Sequence, residues 1–344
     1  MNDLSDFRSD TVTRPTPAMR EAMARAEVGD DVLDGDPTVG ALERYAADWL
    51  GKEGSLFVAS GTMANQVALG AWVRAGDEVI VEEGAHVLLY EAGAMGYLHG
   101  AQAVTLRGDR GALDPETVRR AIRPDFIHCP HTALVCVEQT HMGAGGRVLP
   151  LAGLRAVREV AAARGVPVHM DGARLANAVV ASGVDARTWA SCADSVSVCL
   201  SKGLGAPVGS IVAGGEEFLA RARVIRKRLG GWMRQAGIIA AAGLLGLREG
   251  VDRLAEDHAL ARELAAALDR MPGLSAPPAE VETNLVLVRV EHARFDAAAL
   301  AARLKEEGVL VLPLTPETLR FVTHRDVGPA DLDRLLAALE RILG

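Results

Sequence analysis

The amino-acid sequence predicts an α/β fold in which a large domain, with a mainly parallel sheet flanked by helices, precedes a small C-terminal α+β domain. From residue 41 to about residue 215, short and almost wholly apolar runs alternate with amphipathic helical stretches, which is typical of strands buried on both faces. A turn-rich segment at 271–280 is followed by a second, shorter series of strands and helices, which indicates the small domain. We place the division after residue 249, so the predicted domains are 1–249 and 250–344.

The elements of the large domain follow one another in strand–helix order. Asp114 and Pro115 mark a helix start, because aspartate caps a helix and proline fits its first turn. The predicted strands are 55–60, 77–84, 103–108, 133–140, 166–174, 194–203 and 209–215, followed in the small domain by 284–290, 309–315 and 318–324. The predicted helices are 41–50, one opening at Gly61, one from about His86, 114–123, 150–164, 216–229, 233–249, 251–270, 295–307 and one from Pro329.

The composition excludes several kinds of protein. The chain has 344 residues, a formal net charge of −8 and 4% aromatic residues, which makes it a poor nucleic-acid binder because phosphate contacts dominate that affinity. Its longest strongly apolar run, 236–247, is well short of the roughly 20 residues of a membrane-spanning helix. Acidic residues stand at 1–10, where a signal peptide has a basic start. We therefore expect a cytoplasmic protein with neither nucleic-acid nor membrane partners.

The cysteines show no C-x-x-C pair and lie in apolar surroundings. In a reducing compartment such cysteines are small buried hydrophobic residues. The four are Cys129, Cys136, Cys192 and Cys199.

Lysine is scarce in this chain, which has four lysines and 33 arginines. Lys52 lies in a turn, and Lys227 and Lys305 lie in charged helical stretches, whereas Lys202 ends a buried strand. Burial of an amine favours its neutral, nucleophilic form. Lys202 is therefore the candidate for covalent chemistry, although lysines in such positions also extend their amines to solvent.

Two further segments point to a bound anion and a buried carboxylate. Ser60, Gly61 and Thr62 follow an apolar run and open a helix, where free N–H groups and the helix dipole favour a phosphate; a plain helix cap explains the same residues. Asp171 ends another buried strand, where a carboxylate requires a cation. It pairs either with Arg174 or with a protonated heteroaromatic nitrogen of a cofactor.

An anion cradle, a strand-end aspartate and a strand-end lysine together match the needs of pyridoxal 5'-phosphate. The sequence resembles the low-specificity L-threonine aldolases, within the aspartate-aminotransferase-like fold (type I) of pyridoxal-phosphate enzymes. The resemblance is carried by FRSDTVT (7–13), GDDV (29–32), SGTMAN (60–65), AH (85–86), IH (127–128), GGRV (145–148), HMDGAR (169–174), SKGLGAPVGS (201–210), MRQAG (233–237) and VTH (322–324).

The resemblance implies roles for the matching residues. Lys202 is expected to form the Schiff base with the cofactor, and Asp171 to bond its ring nitrogen. The other expected cofactor contacts are His86, stacked on the ring, with Ser60, Gly61, Thr62 and Arg174, and Arg234 from a neighbouring subunit. The expected contacts of the substrate carboxylate are Arg174, Arg320 and Ser9. The resemblance also implies a homotetramer with active sites at dimer interfaces.

The implied reaction is cleavage of L-threonine or L-allo-threonine to glycine and acetaldehyde. The base that takes the β-hydroxyl proton is expected to be His86 or His128, because histidine titrates near neutrality, and His128 is expected near the substrate's β-substituent. We expect no metal site. A zinc site is an alternative use of four residues whose spacing fits no standard pattern: His128, Cys129, His131 and His141.

The sequence departs from the family pattern at several positions. Leu33 stands where the family has a tyrosine, which puts phosphate affinity or the subunit contact in question. Trp232 replaces a glycine, and His131 and His141 replace an arginine and an asparagine, with expected effects on the site entrance and on substrate size. Two alternatives remain open: another pyridoxal-phosphate activity, β-eliminating or racemase-like, and a non-catalytic relative.

Overall fold

The computed structural model describes residues 4–344, and its elements follow the order predicted from the sequence. The strands are β1 (Ser5–Asp6), β2 (Gly54–Val58), β3 (Glu78–Glu82), β4 (Gln102–Leu106), β5 (Thr132–Glu138), β6 (Val168–Asp171), β7 (Ser195–Cys199), β8 (Ser210–Gly214), β9 (Leu274–Ser275), β10 (Leu285–Val290), β11 (Val309–Leu310), β12 (Leu312–Thr315) and β13 (Thr318–Val322). The helices are α1 (Pro17–Ala24), α2 (Pro37–Leu50), α3 (Gly61–Trp72), α4 (His86–Leu89), α5 (Ala94–His99), α6 (Pro115–Ala121), α7 (Leu151–Ala162), α8 (Leu175–Ser182), α9 (Ala186–Ala190), α10 (Glu216–Arg228), α11 (Gly237–Glu249), α12 (Leu254–Leu268), α13 (Ala297–Glu306) and α14 (Pro329–Leu343).

The large sheet has seven strands in the order β2-β8-β7-β6-β5-β3-β4. Strand β8 is antiparallel to both of its neighbours, and the other pairings are parallel. The prediction of a mainly parallel sheet is therefore confirmed. Because the parallel strands run in one direction, their carboxyl ends meet at one edge, where ligands bind in open α/β sheets.

Helices cover the large sheet on both faces, as the apolar strands require. In β2, Phe57 packs into the core that includes α2 and α11, whereas Leu56 and Val58 pack into the core beneath α3 and α10. Alternate residues of one strand thus point into two different cores. This two-sided burial explains why these strands have no polar face in the sequence.

The C-terminal part has its own antiparallel sheet, in the order β12-β13-β10-β9, and a separate core formed with α12, α13 and α14. The N-terminal segment 4–14 also belongs to this part by its packing. Strand β1 pairs with β11, and Phe7 lies in the C-terminal core. The domain boundary after residue 249 stays a prediction. Because Phe7 packs in the C-terminal core, part of the N-terminal segment belongs with the small domain by its contacts.

The differences from the predicted elements have local causes. The helix predicted from His86 is broken into α4 and α5, because Ala92 and Gly93 adopt positive φ angles of 53° and 71°, which a right-handed helix does not allow. The run 309–315 forms two short strands rather than one. Helices α1, α8 and α9 are additional to those predicted.

All four cysteines are free thiols, and Cys136, Cys192 and Cys199 are buried as expected. Cys129 is only half-buried, because it lies on the loop before β5. Within residues 4–344, the structure has no helix with the length and apolarity needed to cross a membrane.

One buried carboxylate, Asp36, joins three segments near the site. Its two oxygens accept four backbone N–H groups: Thr38 and Val39 at the start of α2 (3.0 and 2.9 Å), Gly29 (3.2 Å), and Gly237 at the start of α11 (3.0 Å). A capping carboxylate satisfies donors that a helix leaves free. Asp36 therefore holds two helix N-termini and the loop that begins at Gly29 together.

We predict that Asp36→Ala lowers the free energy of unfolding by about 2–3 kcal/mol, since it removes a helix cap and leaves buried N–H groups without acceptors. The matched control is Asp114→Ala at the exposed cap of α6, which should cost about 1 kcal/mol or less. Urea denaturation of the cofactor-free protein measures both. Equal losses would contradict the structural role given to Asp36.

Candidate active site

The predicted site residues of the large domain meet at the carboxyl edge of the sheet. Asp171 ends β6 and lies beside Glu138, which ends β5, and Lys202 follows β7. His86 follows β3 and begins α4, and Ser60 follows β2 and caps α3. The strand topology thus places one group from each of five strands at the same edge.

Asp171 is buried, with 4% of its surface exposed. Its Oδ2 accepts a hydrogen bond from Nδ2 of Asn65 (2.8 Å), and its Oδ1 accepts one from the N–H of Ala173 (3.0 Å). Burial alone would raise the pKa of Asp171, but the neighbouring Lys202 and His86 and these hydrogen bonds outweigh it and hold the pKa below its usual range. Asp171 is therefore a charged carboxylate in a buried setting.

Asn65 is a buried member of the site that the sequence reasoning did not assign. Its Nδ2 donates to Asp171 and to Oε1 of Glu91, each at 2.8 Å. Its Oδ1 accepts from Oγ of Ser197 (2.9 Å) and lies 3.3 Å from Nε2 of His169. The only signal available was its place in the SGTMAN run, which does not show what a helix residue faces.

His86 lies against a second carboxylate, Glu91, whose side chain has no exposed surface. Nδ1 of His86 is 3.1 Å from Oε1 of Glu91, and the backbone N–H of His86 donates to Glu138 (2.7 Å). Burial would lower the pKa of His86, but the Glu91 hydrogen bond and the charge of Asp171 raise it above its usual value. The imidazole is thus oriented for proton exchange at its other nitrogen.

His86, Glu91 and Asp171 bring ligand-type atoms within 4.8 Å of one another. Amide N–H groups already occupy the carboxylates: Gln66 donates to Glu91 (2.6 Å), and Asn65 donates to both acids. We therefore expect the three side chains to share a proton rather than to bind a metal ion.

The start of α3 presents free donors at the same edge. Oγ of Ser60 accepts from the N–H of Met63 (3.2 Å), so the helix cap considered from the sequence is present. In the described part of the chain, no protein group accepts the N–H groups of Gly61 and Thr62. Beside Gly61, a methyl group added at Cα would lie 3.8 Å from the buried Oγ of Ser210, which also has no partner among these residues. The donors fit a phosphate.

Arg320 is a buried cation without an acidic partner among residues 4–344. Only 8% of its surface is exposed, one terminal nitrogen donates to the carbonyl of Arg8 (3.1 Å), and the other lies 3.5 Å from Sδ of Met142. Its Nε has no partner. Burial and the charge of Arg174 lower the pKa of Arg320. A buried guanidinium with unused donors fits a ligand carboxylate.

Arg174, in contrast, has an internal partner. Its Nε and one terminal nitrogen donate to the two oxygens of Asp10 at 2.8 and 2.7 Å, and both side chains are buried. The pKa of Asp10 is held far below its usual range, since the charge of Arg174 outweighs the effect of burial. The alternative of an Asp171–Arg174 pair is wrong, because Asp171 bonds Asn65 instead. The substrate contact expected of Arg174 stays a prediction.

Ser9 lies one residue from the carbonyl that Arg320 bonds, and its Oγ accepts from the N–H of Thr11 (3.2 Å) as the cap of a short 3-10 turn. The following residues reach the lysine: Oγ1 of Thr13 donates to the backbone carbonyl of Lys202 (2.9 Å). The segment 9–13 therefore lies between the candidate carboxylate site and the candidate Schiff-base lysine.

In the described part of the chain, two predicted site residues form no hydrogen bond or ion pair with the other candidate site residues. His128 is exposed on the loop before β5, at the opposite, amino-terminal edge, where the carbonyl of His131 accepts from the N–H of Glu78 at the start of β3. Arg234 is mostly exposed and bonds Asp30 (2.8 Å). The sequence identifies these two residues, but it does not show at which edge of the sheet they lie or to which subunit's site they contribute.

The alternative zinc set is not assembled in this chain. His141 lies at the carboxyl edge, with Nε2 3.0 Å from Glu82 at the end of β3. The other three members, His128, Cys129 and His131, precede β5 at the opposite edge.

Comparisons with known proteins give the family and the fold. A family model described as beta-eliminating lyase matches residues 6–293. The chain is 42% identical over 342 residues to the probable low-specificity L-threonine aldolase 2 of Arabidopsis thaliana, covering 98% of this chain and 96% of that protein. It is 43% identical over 333 residues to the low specificity L-threonine aldolase of Escherichia coli, covering 96% and 97%. A solved aspartate aminotransferase mutant from Thermus thermophilus matches with a TM-score of 0.72 at 20% identity, over 98% of this chain and 95% of that one, which confirms the predicted fold.

Arg174 and Arg320 lead to different predictions for stability. Asp10→Ala should lower the free energy of unfolding of the cofactor-free protein by about 3–5 kcal/mol, because it leaves Arg174 buried and unpaired. Arg320→Met should leave that free energy unchanged or raise it, since it replaces a buried cation that has no acidic partner within residues 4–344. Urea denaturation measures both. A loss for Arg320→Met as large as for Asp10→Ala would contradict this assignment.

Proposed function

The chain belongs to the beta-eliminating lyase family, in the group of the low-specificity L-threonine aldolases, and from this we propose that it cleaves L-threonine and L-allo-threonine to glycine and acetaldehyde with pyridoxal 5'-phosphate as cofactor. One observation carries the proposal beyond the family relation. A lysine that follows a strand, a buried charged aspartate and a buried arginine without an acidic partner among the described residues meet at one edge of the sheet: Lys202, Asp171 and Arg320.

The residues present fit the cofactor. The N–H groups of Gly61 and Thr62 and the hydroxyl of Ser210 have no partner in the part of the chain that the structure describes, and these donors fit a phosphate. Asp171 holds a negative charge where a protonated ring nitrogen needs a partner, and Lys202 supplies the amine. When bound, pyridoxal phosphate supplies an electron sink that accepts the electron pair of the broken Cα–Cβ bond.

Arg320 anchors the substrate carboxylate in this proposal. Its free donors suit the two oxygens of a carboxylate, which binds an arginine in a fixed plane. Ser9 lies beside this group, and Arg174 lies close enough to influence its charge. A fixed carboxylate fixes the direction of the Cα–Cβ bond, and such positioning accounts for a large part of the rate of a bond cleavage.

His86 is the base that the contacts favour over His128. Glu91 binds Nδ1 of His86 and leaves Nε2 to accept the β-hydroxyl proton, and the same carboxylate stabilises the imidazolium that forms. His128 lies at the other edge of its own chain, so it has to come from another subunit to lie beside the substrate's β-substituent.

We propose the homotetramer, with sites at dimer interfaces, and the cytoplasmic location implied by the sequence. The loop from Asp30 supports the first proposal. It carries Leu33, which is 74% exposed, and its Asp30 holds Arg234 at the surface. Trp232 donates to Asp31 (2.7 Å) and stiffens the same region. These groups are placed to meet a neighbouring subunit, where Arg234 is expected to reach a phosphate.

The activity is tested by the products formed from L-threonine and by the colour of the purified protein. We predict glycine and acetaldehyde in equal amounts, and a visible absorbance that borohydride discharges. Lys202→Ala should lose both the absorbance and at least 99% of the activity, because covalent catalysis requires the amine. The control is Lys305→Ala, an exposed lysine, which should keep both. Ammonia or D-amino acids as the main products would contradict the aldolase assignment in favour of the alternatives.

The proton role of His86 predicts a shift in the pH profile. Activity should rise with pH as the imidazole loses its proton, with the midpoint above the ordinary histidine value, because Glu91 and Asp171 raise the pKa of His86 despite its burial. Glu91→Gln removes one of these charges, so the acidic limb of kcat/KM should move to lower pH, and kcat should fall roughly 10- to 100-fold. Glu83→Gln, an exposed neighbour, should leave the limb in place. An unmoved limb in Glu91→Gln would exclude His86 as the base.

A further inference from the structure

A continuous chain of buried hydrogen bonds leads from Asp171 into the protein interior, away from the substrate side. Asn65 bonds Asp171, and its Oδ1 lies 3.3 Å from Nε2 of His169. Nδ1 of His169 is 2.9 Å from Oγ of Ser195, which accepts from Nε1 of Trp72 at 2.9 Å. His169 and Ser195 are buried, as is Asn65. None of the residues beyond Asn65 has a part in the mechanism above.

One arrangement of the protons satisfies every contact in this chain of hydrogen bonds. Indole N–H only donates, so Oγ of Ser195 accepts from Trp72, and its own proton is available to Nδ1 of His169 when that nitrogen carries none. Both amide hydrogens of Asn65 are taken by carboxylates, which leaves its oxygen facing His169. Nε2 of His169 therefore carries the proton that Asn65 accepts. Burial lowers the pKa of His169 well below its usual range, so the ring holds this single proton at neutral pH.

His169 and Asp171 stand two residues apart on β6, so their side chains project from the same face of the strand. Asn65 reaches both from α3. The amide oxygen and nitrogen of Asn65 are similar in size, but the oxygen accepts hydrogen bonds and the nitrogen donates them. If the amide rotates by half a turn, its oxygen faces Asp171 and Glu91. Oγ of Ser197 also bonds the Asn65 oxygen (2.9 Å), but a hydroxyl accepts as well as donates. The oxygens of Asp171 and Glu91 would then face another acceptor, so they oppose that rotation, and the N–H of His169 opposes it at the other end of the amide.

We propose that His169 is a positioning residue, which fixes the amide of Asn65 so that both of its N–H groups face Asp171 and Glu91, and thereby keeps Asp171 charged and aligned for the ring nitrogen of the cofactor. This inference rests on the proposed function, since it concerns the cofactor partner of Asp171. It adds two residues, Asn65 and His169, to the groups on which the reaction depends, although His169 touches neither substrate nor cofactor.

Two amide substitutions of His169 separate its bond to Asn65 from its bond to Ser195. In His169→Gln, the side-chain amide nitrogen lies near the place of Nε2 and still donates to Asn65. In His169→Asn, the shorter amide reaches the place of Nδ1 and leaves Asn65 without that donor. Both variants keep a polar, neutral side chain of smaller volume, so the pair is matched for the cost of burial.

We expect His169→Asn to lower kcat about 10- to 100-fold, as loss of an outer-shell partner does in other sites, with KM for L-threonine unchanged within about twofold because Arg320 is untouched. Affinity for pyridoxal phosphate, measured by absorbance titration of the full chain, should fall about tenfold. His169→Gln should recover both to within about threefold of the wild type.

The decisive measurement repeats the titration with 1-deazapyridoxal phosphate, in which carbon replaces the ring nitrogen. Asp171 has no nitrogen to bond there, so the wild type and His169→Asn should bind this analogue equally. An equal loss of affinity for the two cofactors in His169→Asn would overturn the proposal, because a general structural defect acts on both. So would equal defects in the Gln and Asn variants. A wild type that binds no pyridoxal phosphate would instead refute the proposed function, which keeps the two failures distinct.

Discussion

The burial of one charged carboxylate organises this site. Asp171 ends a strand that is covered on both faces, so its charge has lost the solvent that would stabilise it. Its compensation comes from three separate elements: the amide of Asn65 on α3, the imidazole of His86 at the start of α4 and the amine of Lys202 after β7. Satisfying a single group therefore fixes the position of α3 and of two loops against the sheet edge. The N–H groups at the start of α3, which we propose as phosphate donors, are placed by the same requirement.

Arg174 and Arg320 are both buried, but their charges are compensated differently. Arg174 has its counter-ion, Asp10, inside the protein, and the two side chains form a buried ion pair. Arg320 has carbonyl and thioether contacts only, and its charge stays uncompensated among the described residues. Such a group costs folding free energy, which the rest of the chain offsets. The cost is tolerable where a ligand supplies the missing charge, and this distinguishes a binding arginine from a structural one.

The sequence predicted much of the fold, because the strands are short apolar runs whose ends carry the polar residues Asp171 and Lys202. It did not predict Asn65 or Glu91, whose roles depend on contacts between α3, the loop after α4 and β6, and no local pattern reports such contacts. The helix predicted from His86 ends early because Gly93 adopts a positive φ angle, which the residue types in that part of the sequence do not reveal. The sequence pattern identified His128 but did not show at which edge of the sheet it lies, because its location depends on strand direction and its role on assembly of subunits.

The N-terminal segment spans both parts of the molecule. It pairs with β11 on the C-terminal side, and Arg8, Asp10 and Thr13 then contact Arg320, Arg174 and the backbone of Lys202 in turn. A rotation of the C-terminal part would therefore move the segment 8–13 and displace groups at both ends of the site together. The position of Arg320 and the position of Lys202 are therefore linked through six residues of chain, from Arg8 to Thr13.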